Sequence, residues 1–281
     1  MMRRGRLAGV TLLEVMVAMA TGLALVLLMA TLHARILYLG SEAAQAADAQ
    51  DALRIALALL EYEVAHAGYW GPVGTAAQIA GRSGDAVPLG VAVAGDCGPR
   101  WAIDLDRAID GWSGGWPLAC MPFAGASAVG GALVLRRVET RPGNPEAGRL
   151  QVYADPWAGR LAVAGTPAAP GEQVHALVAR AYYISPRSTG DIGRPSLRRK
   201  TLQRGPRVID EEIMPGIAGL QLWFGEDLDP PGTPGHGHPN RFVTPEAATG
   251  AVVAVRIRLV ADDAAQLSLD RTVALRNGPA P

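Results

Sequence analysis

Glu14 is the residue whose chemistry most needs a reason, because it heads an apolar run that carries no charge from Val15 to Leu32. An ionised carboxylate in such a place costs about 2.5 kcal/mol or more unless it finds a cation or a donor. Other residues able to do chemistry lie far along the chain. Cys97 and Cys120 could be bridged, and Gly111-Trp112-Ser113-Gly114-Gly115 has the G-x-S-x-G spacing of a hydrolase nucleophile elbow. Asp227, Asp229, His236 and His238 bring oxygen and nitrogen ligands close in sequence.

Each of these downstream patterns has a plainer reading. The nucleophile elbow needs a strand that runs straight into a helix, whereas Ser113 sits among glycines ahead of Trp116-Pro117, so a glycine-rich turn is expected. Asp227 and Asp229 give the D-x-D start of a calcium loop, but no acidic ligand follows at the required spacing and proline interrupts it. They remain weak calcium candidates beside the expectation of a solvated acidic turn. No C-x-x-C pair or nearby histidine completes a tetrahedral set with Cys97 and Cys120. A disulfide is expected in an oxidising compartment, and two buried free thiols are the alternative. The sequence thus leads to no catalytic residue, resident metal or cofactor.

Composition narrows the function classes. The 281 residues are 49% hydrophobic and 19% charged, which excludes a disordered or fibrous chain. Lys+Arg and Asp+Glu are each 26, so no net field favours nucleic acid, and no specific nucleic-acid partner is expected. The local cluster Arg198-Arg199-Lys200 reads as a solvated basic turn.

The elements that must position these residues begin at the N-terminus. Arg3, Arg4 and Arg6 precede the apolar run, which places this end on the cytoplasmic side, and His33 and Arg35 mark the far exit. From Val15 to Leu32 a helix covers about 27 Å, enough to cross hydrocarbon. No proline occurs between Val10 and Pro72, and Leu53, Leu57, Leu60 and Val64 repeat at helical spacing. One helix over residues 10–68 is expected, membrane-spanning over about 10–36, with the Leu53–Val64 stripe buried on a following domain. That domain, residues 69–281, is expected to be β-rich, with strands at Ala132–Val138, Leu150–Tyr153, Leu161–Val163, Ala176–Ile184, Leu197–Leu202, Gly219–Phe224, Val252–Val260 and Thr272–Leu275. The fold class is therefore α+β: a long N-terminal membrane-spanning α-helix packed on an antiparallel β-sheet head.

Gly9-Val10-Thr11-Leu12-Leu13-Glu14 resembles the type IV prepilin processing site, although that family usually has Phe where Val10 stands. The resemblance implies that residues 1–9 are a leader, cut between Gly9 and Val10 by a prepilin peptidase that also methylates Val10. It further implies that Glu14 neutralises the N-terminal ammonium of a neighbouring subunit in a dry helix bundle. The head resembles the PilW family of minor pilins through Asp96-Cys97-Gly98, Arg180-Ala181-Tyr182-Tyr183-Ile184, Leu220-Gln221-Leu222-Trp223-Phe224-Gly225 and Val252-Val253-Ala254-Val255-Arg256-Ile257-Arg258-Leu259. That resemblance implies a minor pilin near the pilus tip that primes assembly, with other minor and major pilins and a tip adhesin as partners. It implies a single pass through inner-membrane lipid, a periplasmic head and incorporation into an extracellular filament. An oxidising periplasm in turn favours the Cys97–Cys120 disulfide. A type II secretion pseudopilin of the J type shares the processing motif and architecture, and a membrane-anchored periplasmic hydrolase using Ser113 is the reading from another class.

Overall fold

The computed structural model describes residues 11–277 apart from 128, 192 and 263–266. Helix α1 runs over Leu12–Ala65 and is shared by two compact bodies, one ending at Asp48 and one beginning at Ala49. The helix stops three residues before the expected boundary. Ala67 N closes a last tight turn on Val64 O, and Gly68 adopts φ 74° and donates its N–H to Arg136 O. That left-handed position suits glycine, and the bond to a distant strand ends the helical ladder.

In the first body the apolar side chains from Leu12 to Leu39 are exposed. Thr21 and Thr31 return their hydroxyls to Val17 O and Leu28 O, so neither leaves an unpaired polar group on that surface. In the second body Leu53, Ala56, Leu57, Leu60 and Val64 are buried, the stripe that the sequence spacing requires.

Among its described residues the head carries twelve strands: β1 (Ile79–Ala80), β2 (Ile109–Trp112), β3 (Ala132–Val138), β4 (Ala147–Ala154), β5 (Gly159–Ala164), β6 (Gln173–Ser185), β7 (Ser196–Gln203), β8 (Arg207–Pro215), β9 (Ile217–Asp227), β10 (Arg241–Val243), β11 (Ala251–Ala261) and β12 (Ser268–Ala274). They form two sheets. One follows β1-β5-β4-β6-β3-β2, with β7 and β8 joined through β6, and the other follows β10-β9-β11-β12. All pairs are antiparallel except β1 with β5. The sheets meet where Gly131 N donates to Leu220 O at 2.6 Å. A Cβ on Gly131 would lie 2.5 Å from Trp112 O, so only glycine permits this approach.

Strand β3 shows how the core is divided. Every residue in it is buried. Leu133 and Leu135 join Leu53, Leu60, Leu220, Ile257 and Leu259 in a cluster with the helix, while Val134 and Val138 join Trp101, Ile103, Cys97 and Cys120 in a second cluster. Two-residue alternation thus sends one strand into both cores.

All eight strands read from the sequence are present, and β1, β2, β8 and β10 are additional. Strand β8 escapes sequence reading because Asp210-Glu211-Glu212 lowers its strand propensity. Its partner β7 supplies what it lacks: Arg198, Arg199 and Lys200 stand opposite Glu212, Glu211 and Asp210. The expected solvated basic turn is corrected accordingly, because these three cations lie inside a strand and each is ion-paired, at 2.9, 2.5 and 3.0 Å. Direct cross-strand opposition of unlike charges is a local stabiliser and leaves no basic patch there.

Candidate functional site

The helix start is held by Thr11 and Glu14. Thr11 donates its backbone N–H to Glu14 Oε2 at 3.1 Å and its hydroxyl to the same oxygen at 3.2 Å, while Glu14 N donates to Thr11 Oγ1 at 3.3 Å. This is a capping box, satisfying donors that a helix N-terminus otherwise leaves free and setting a carboxylate at the positive end of the dipole. The spacing Thr-x-x-Glu is a sequence signal for this cap that the reading of Glu14 as an intramembrane acid passed over. Both residues remain exposed, so the Glu14 carboxylate is open to a cation. The expected scissile pair, Gly9 and Val10, lies outside the described residues.

Downstream of this cap the helix is long and apolar enough to cross a membrane. In water its exposed leucines, valines and methionines would forfeit a hydrophobic contribution of roughly 1.5–3 kcal/mol per large side chain.

At its other end, in the head, the helix contributes a buried charge. Glu63 is 3% exposed and sits between Arg137 of β3, at 3.3 Å, and Arg180 of β6. Arg137 also meets Glu139 at 3.5 Å. The neighbouring Arg136 points to the opposite core, where Nε donates to Trp101 O at 2.8 Å and Nη1 to Arg107 O at 2.6 Å, with Asp110 3.7 Å away. Of these positions the sequence pointed only to Arg180, as part of a family resemblance, and to none of them as a buried charge. Glu63 could have been singled out, since it lies three residues from Leu60 on the buried stripe. His66 packs its ring 4.3 Å from that of Tyr62, and its Nδ1 contacts Tyr62 O.

Cys97 and Cys120 form a disulfide, with their Cα atoms 4.3 Å apart. Trp116 Nε1 donates to Cys120 O at 2.5 Å, and Ala119 N donates to Cys97 O at 3.0 Å. The segment between the cysteines is not structureless: it contains a 3-10 turn at Trp101–Ile103 and strand β2.

Ser113 follows β2 and leads into a bend and then Trp116-Pro117, not into a helix. Its N–H and hydroxyl both donate to Glu246 Oε1, at 2.6 and 3.0 Å. Among the described residues no imidazole is hydrogen-bonded to it, and the acceptor of its hydroxyl is the Glu246 carboxylate.

Asp227 and Asp229 tie together their own loop. Asp227 accepts from Asp229 N at 2.9 Å, Gly237 N at 2.7 Å and His236 Nδ1 at 2.9 Å. Since Nδ1 also faces Asp229 O, both of its neighbours are acceptors and the proton belongs on that nitrogen. Asp229 accepts from Asn240 Nδ2 at 2.9 Å. No group of three or more His, Cys, Asp or Glu side chains that could hold a metal occurs among the described residues. Next to this loop, Glu226 accepts from Gly250 N, Thr249 N and Arg241 Nε.

These contacts set an acid limit on the head. Amide donors hold Glu226 and Asp227 below the ordinary carboxylate range, Gly250 first for Glu226 and Gly237 first for Asp227. A carboxyl depressed in the folded state adds stability above its unfolded pKa, near 4, and loses it as pH falls through the folded value. Burial moves Asp96 and Asp110 the other way, so those two oppose the acid loss. Thermal midpoints should therefore be flat above about pH 5 and drop below about pH 4. The double change Glu226→Gln and Asp227→Asn should flatten that acid limb; an unchanged slope would refute the assignment.

A single long apolar helix with an α+β head built on sheets is a type IV pilin-like architecture. Residues 181–277, from the second half of β6 to beyond β12, match the family model PilW, type IV pilus-assembly protein W. This supports assigning the chain to the PilW family and its involvement in type IV pilus assembly. Of the four head segments that carried the resemblance, the three after the cysteines fall in the matched region, save Arg180 itself. No curated protein and no solved structure matches.

Proposed function

We propose that this chain is a minor pilin that primes type IV pilus assembly near the filament tip. The observation that carries the reading is the pairing of an exposed Thr11–Glu14 cap on an apolar, membrane-length helix with a match to PilW over residues 181–277 of the head. A prepilin peptidase cuts between Gly9 and Val10 and methylates Val10. The helix then holds the protein in the inner membrane in a single pass, with its N-terminus cytoplasmic and its head periplasmic.

On entry into the filament, Glu14 exchanges part of its cap for the N-terminal ammonium of a neighbouring pilin. The two charges meet away from water, where either alone would be expensive. The protein is a subunit and not a catalyst, and its partners are the other minor pilins, the major pilin and a tip adhesin.

The intact mass of membrane-extracted protein tests the processing step. Loss of residues 1–9 with gain of one methyl group is the expected result, and an intact N-terminus or a cut beyond Leu32 would remove the reading. Glu14→Ala should leave the cut after Gly9 unchanged while surface pili fall to the level of cells lacking the chain. Normal piliation in that variant would reject the role given to Glu14. If loss of the chain stops protein secretion and spares pili, the J-type pseudopilin reading replaces this one.

A further inference from the structure

Strand β6 is bordered unevenly along its length. On one side β3 pairs with it from Leu177 to Tyr182, and the chain beyond β3 continues to a bridge between Gly143 and Val174. On the other side β4 takes Gln173–Ala176 and β7 takes Arg180–Ser185. Among the described residues no strand pairs with Leu177, Val178 and Ala179 there. The far end of this fork is closed where Gly205 N donates to Gly148 O at 2.6 Å and Arg204 Nε to Ala147 O at 3.1 Å.

A cavity of about 190 Å³ fills the fork, and Arg149, Arg180, Arg199 and Arg204 line it together with Glu139 and Glu146. Most of this charge is answered. Arg149 meets Glu146, Arg199 meets Glu211, Arg180 and Arg137 share Glu63, and Arg137 also meets Glu139. Five guanidiniums therefore face four carboxylates, and Arg204 is the one without a carboxylate partner among the described residues. Arg180 adds a second unmet demand, since its Nε is buried with no hydrogen-bond partner. A buried donor left unpaired costs about 1–3 kcal/mol, which makes its presence on a residue that lines a polar cavity informative.

We propose that the fork between β4 and β7 binds one compact oxyanion, a carboxylate or phosphate group, held by Arg204, Arg149 and Arg180 Nε. Guanidinium groups bind such oxygens through charge-assisted hydrogen bonds, and a single negative charge balances the surplus. The oxyanion comes either free from solution or on an acidic side chain of a neighbouring chain; the two sources share this chemistry.

Full-length protein in detergent tests the site. Inorganic phosphate and glutarate are titrated separately at an ionic strength held constant with sodium chloride, and the thermal midpoint is followed. Binding should raise the midpoint with saturation. Arg204→Gln and Arg149→Gln should each weaken the apparent affinity about tenfold, as for one charge-assisted hydrogen bond, while Arg256→Gln on the other sheet leaves it unchanged. A response to phosphate alone assigns a free phosphate-type ligand, and any response to glutarate admits an acidic side chain. A midpoint that stays fixed, rises without saturation, or responds equally in both fork variants and the wild type would overturn the proposal and leave the fork to water.

Discussion

Glu63→Ala should destabilise the head by about 3–5 kcal/mol, the range for removing one partner from a buried ion pair. The carboxylate ion-pairs the helix to two cations from different strands, and Arg137 is 2% exposed. Without Glu63, the one carboxylate left to Arg137 among the described residues is Glu139, on the solvent side, beside its bond to Val138 O, and Arg180 loses its one ion-pair partner there. For a domain of this size the loss corresponds to a fall in thermal midpoint of about 10 °C. Near-UV circular dichroism of full-length protein in detergent would follow it. The paired change Glu63→Met with Arg137→Met should recover part of the loss, because removing both charges removes the desolvation penalty as well. A single-variant shift under about 1 kcal/mol would mean that water reaches the pair and that the helix is held by its apolar stripe alone.

The second large effect belongs to the bridge. Cys97→Ser with Cys120→Ser opens a loop of sequence separation 23, and the chain-entropy model gives about 3 kcal/mol for a loop of that length. The bridge also holds Trp101, Ile103 and Leu105 against Val134, Ala179 and Ala181, so local order in that cluster should fall together with global stability. Reductant should lower the midpoint of the wild-type protein toward that of the double variant and leave the variant itself unmoved. If reductant shifts both alike, the bridge is not the element responsible. Because the helix packs against the other core, the apolar stripe from Leu53 to Val64 should keep its protection in hydrogen exchange after reduction.

The elements themselves were largely legible. Helix α1 follows from an uninterrupted stretch without proline and a stripe at 3.6-residue spacing, and strands such as β11 follow from the alternation of Val253, Val255, Ile257 and Leu259 with Ala254, Arg256 and Arg258. These signals are local, so one chain is enough to read them. Strand β8 was not legible, because three acids in its middle make it look like a loop until Arg198, Arg199 and Lys200 are set opposite. The same pairing explains why a basic cluster that looked solvated in sequence carries little free charge.

The candidate site divides the same way. Thr11 and Glu14 are three residues apart on one helical turn, so local geometry sets their relation, and the Thr-x-x-Glu spacing holds the capping box even though Glu14 drew attention only as an intramembrane acid. Cys97 and Cys120 could be matched because only two cysteines exist, though the choice between bridge and free thiols needed the two Cα atoms to come within reach.

What the sequence determined by itself is therefore the long apolar helix, its cap at Thr11 and Glu14, and the strand pattern of the head. Only the tertiary structure decided how charge is buried. Glu63 is 74 residues from Arg137 and 117 from Arg180, and no periodicity in the chain encodes that meeting. The physical reason is that an ion pair is specified by distance in space, and the order of strands around β6 sets that distance. The forked sheet and its arginine-lined cavity follow from that order too, since two strands must share one edge before a gap between them can exist.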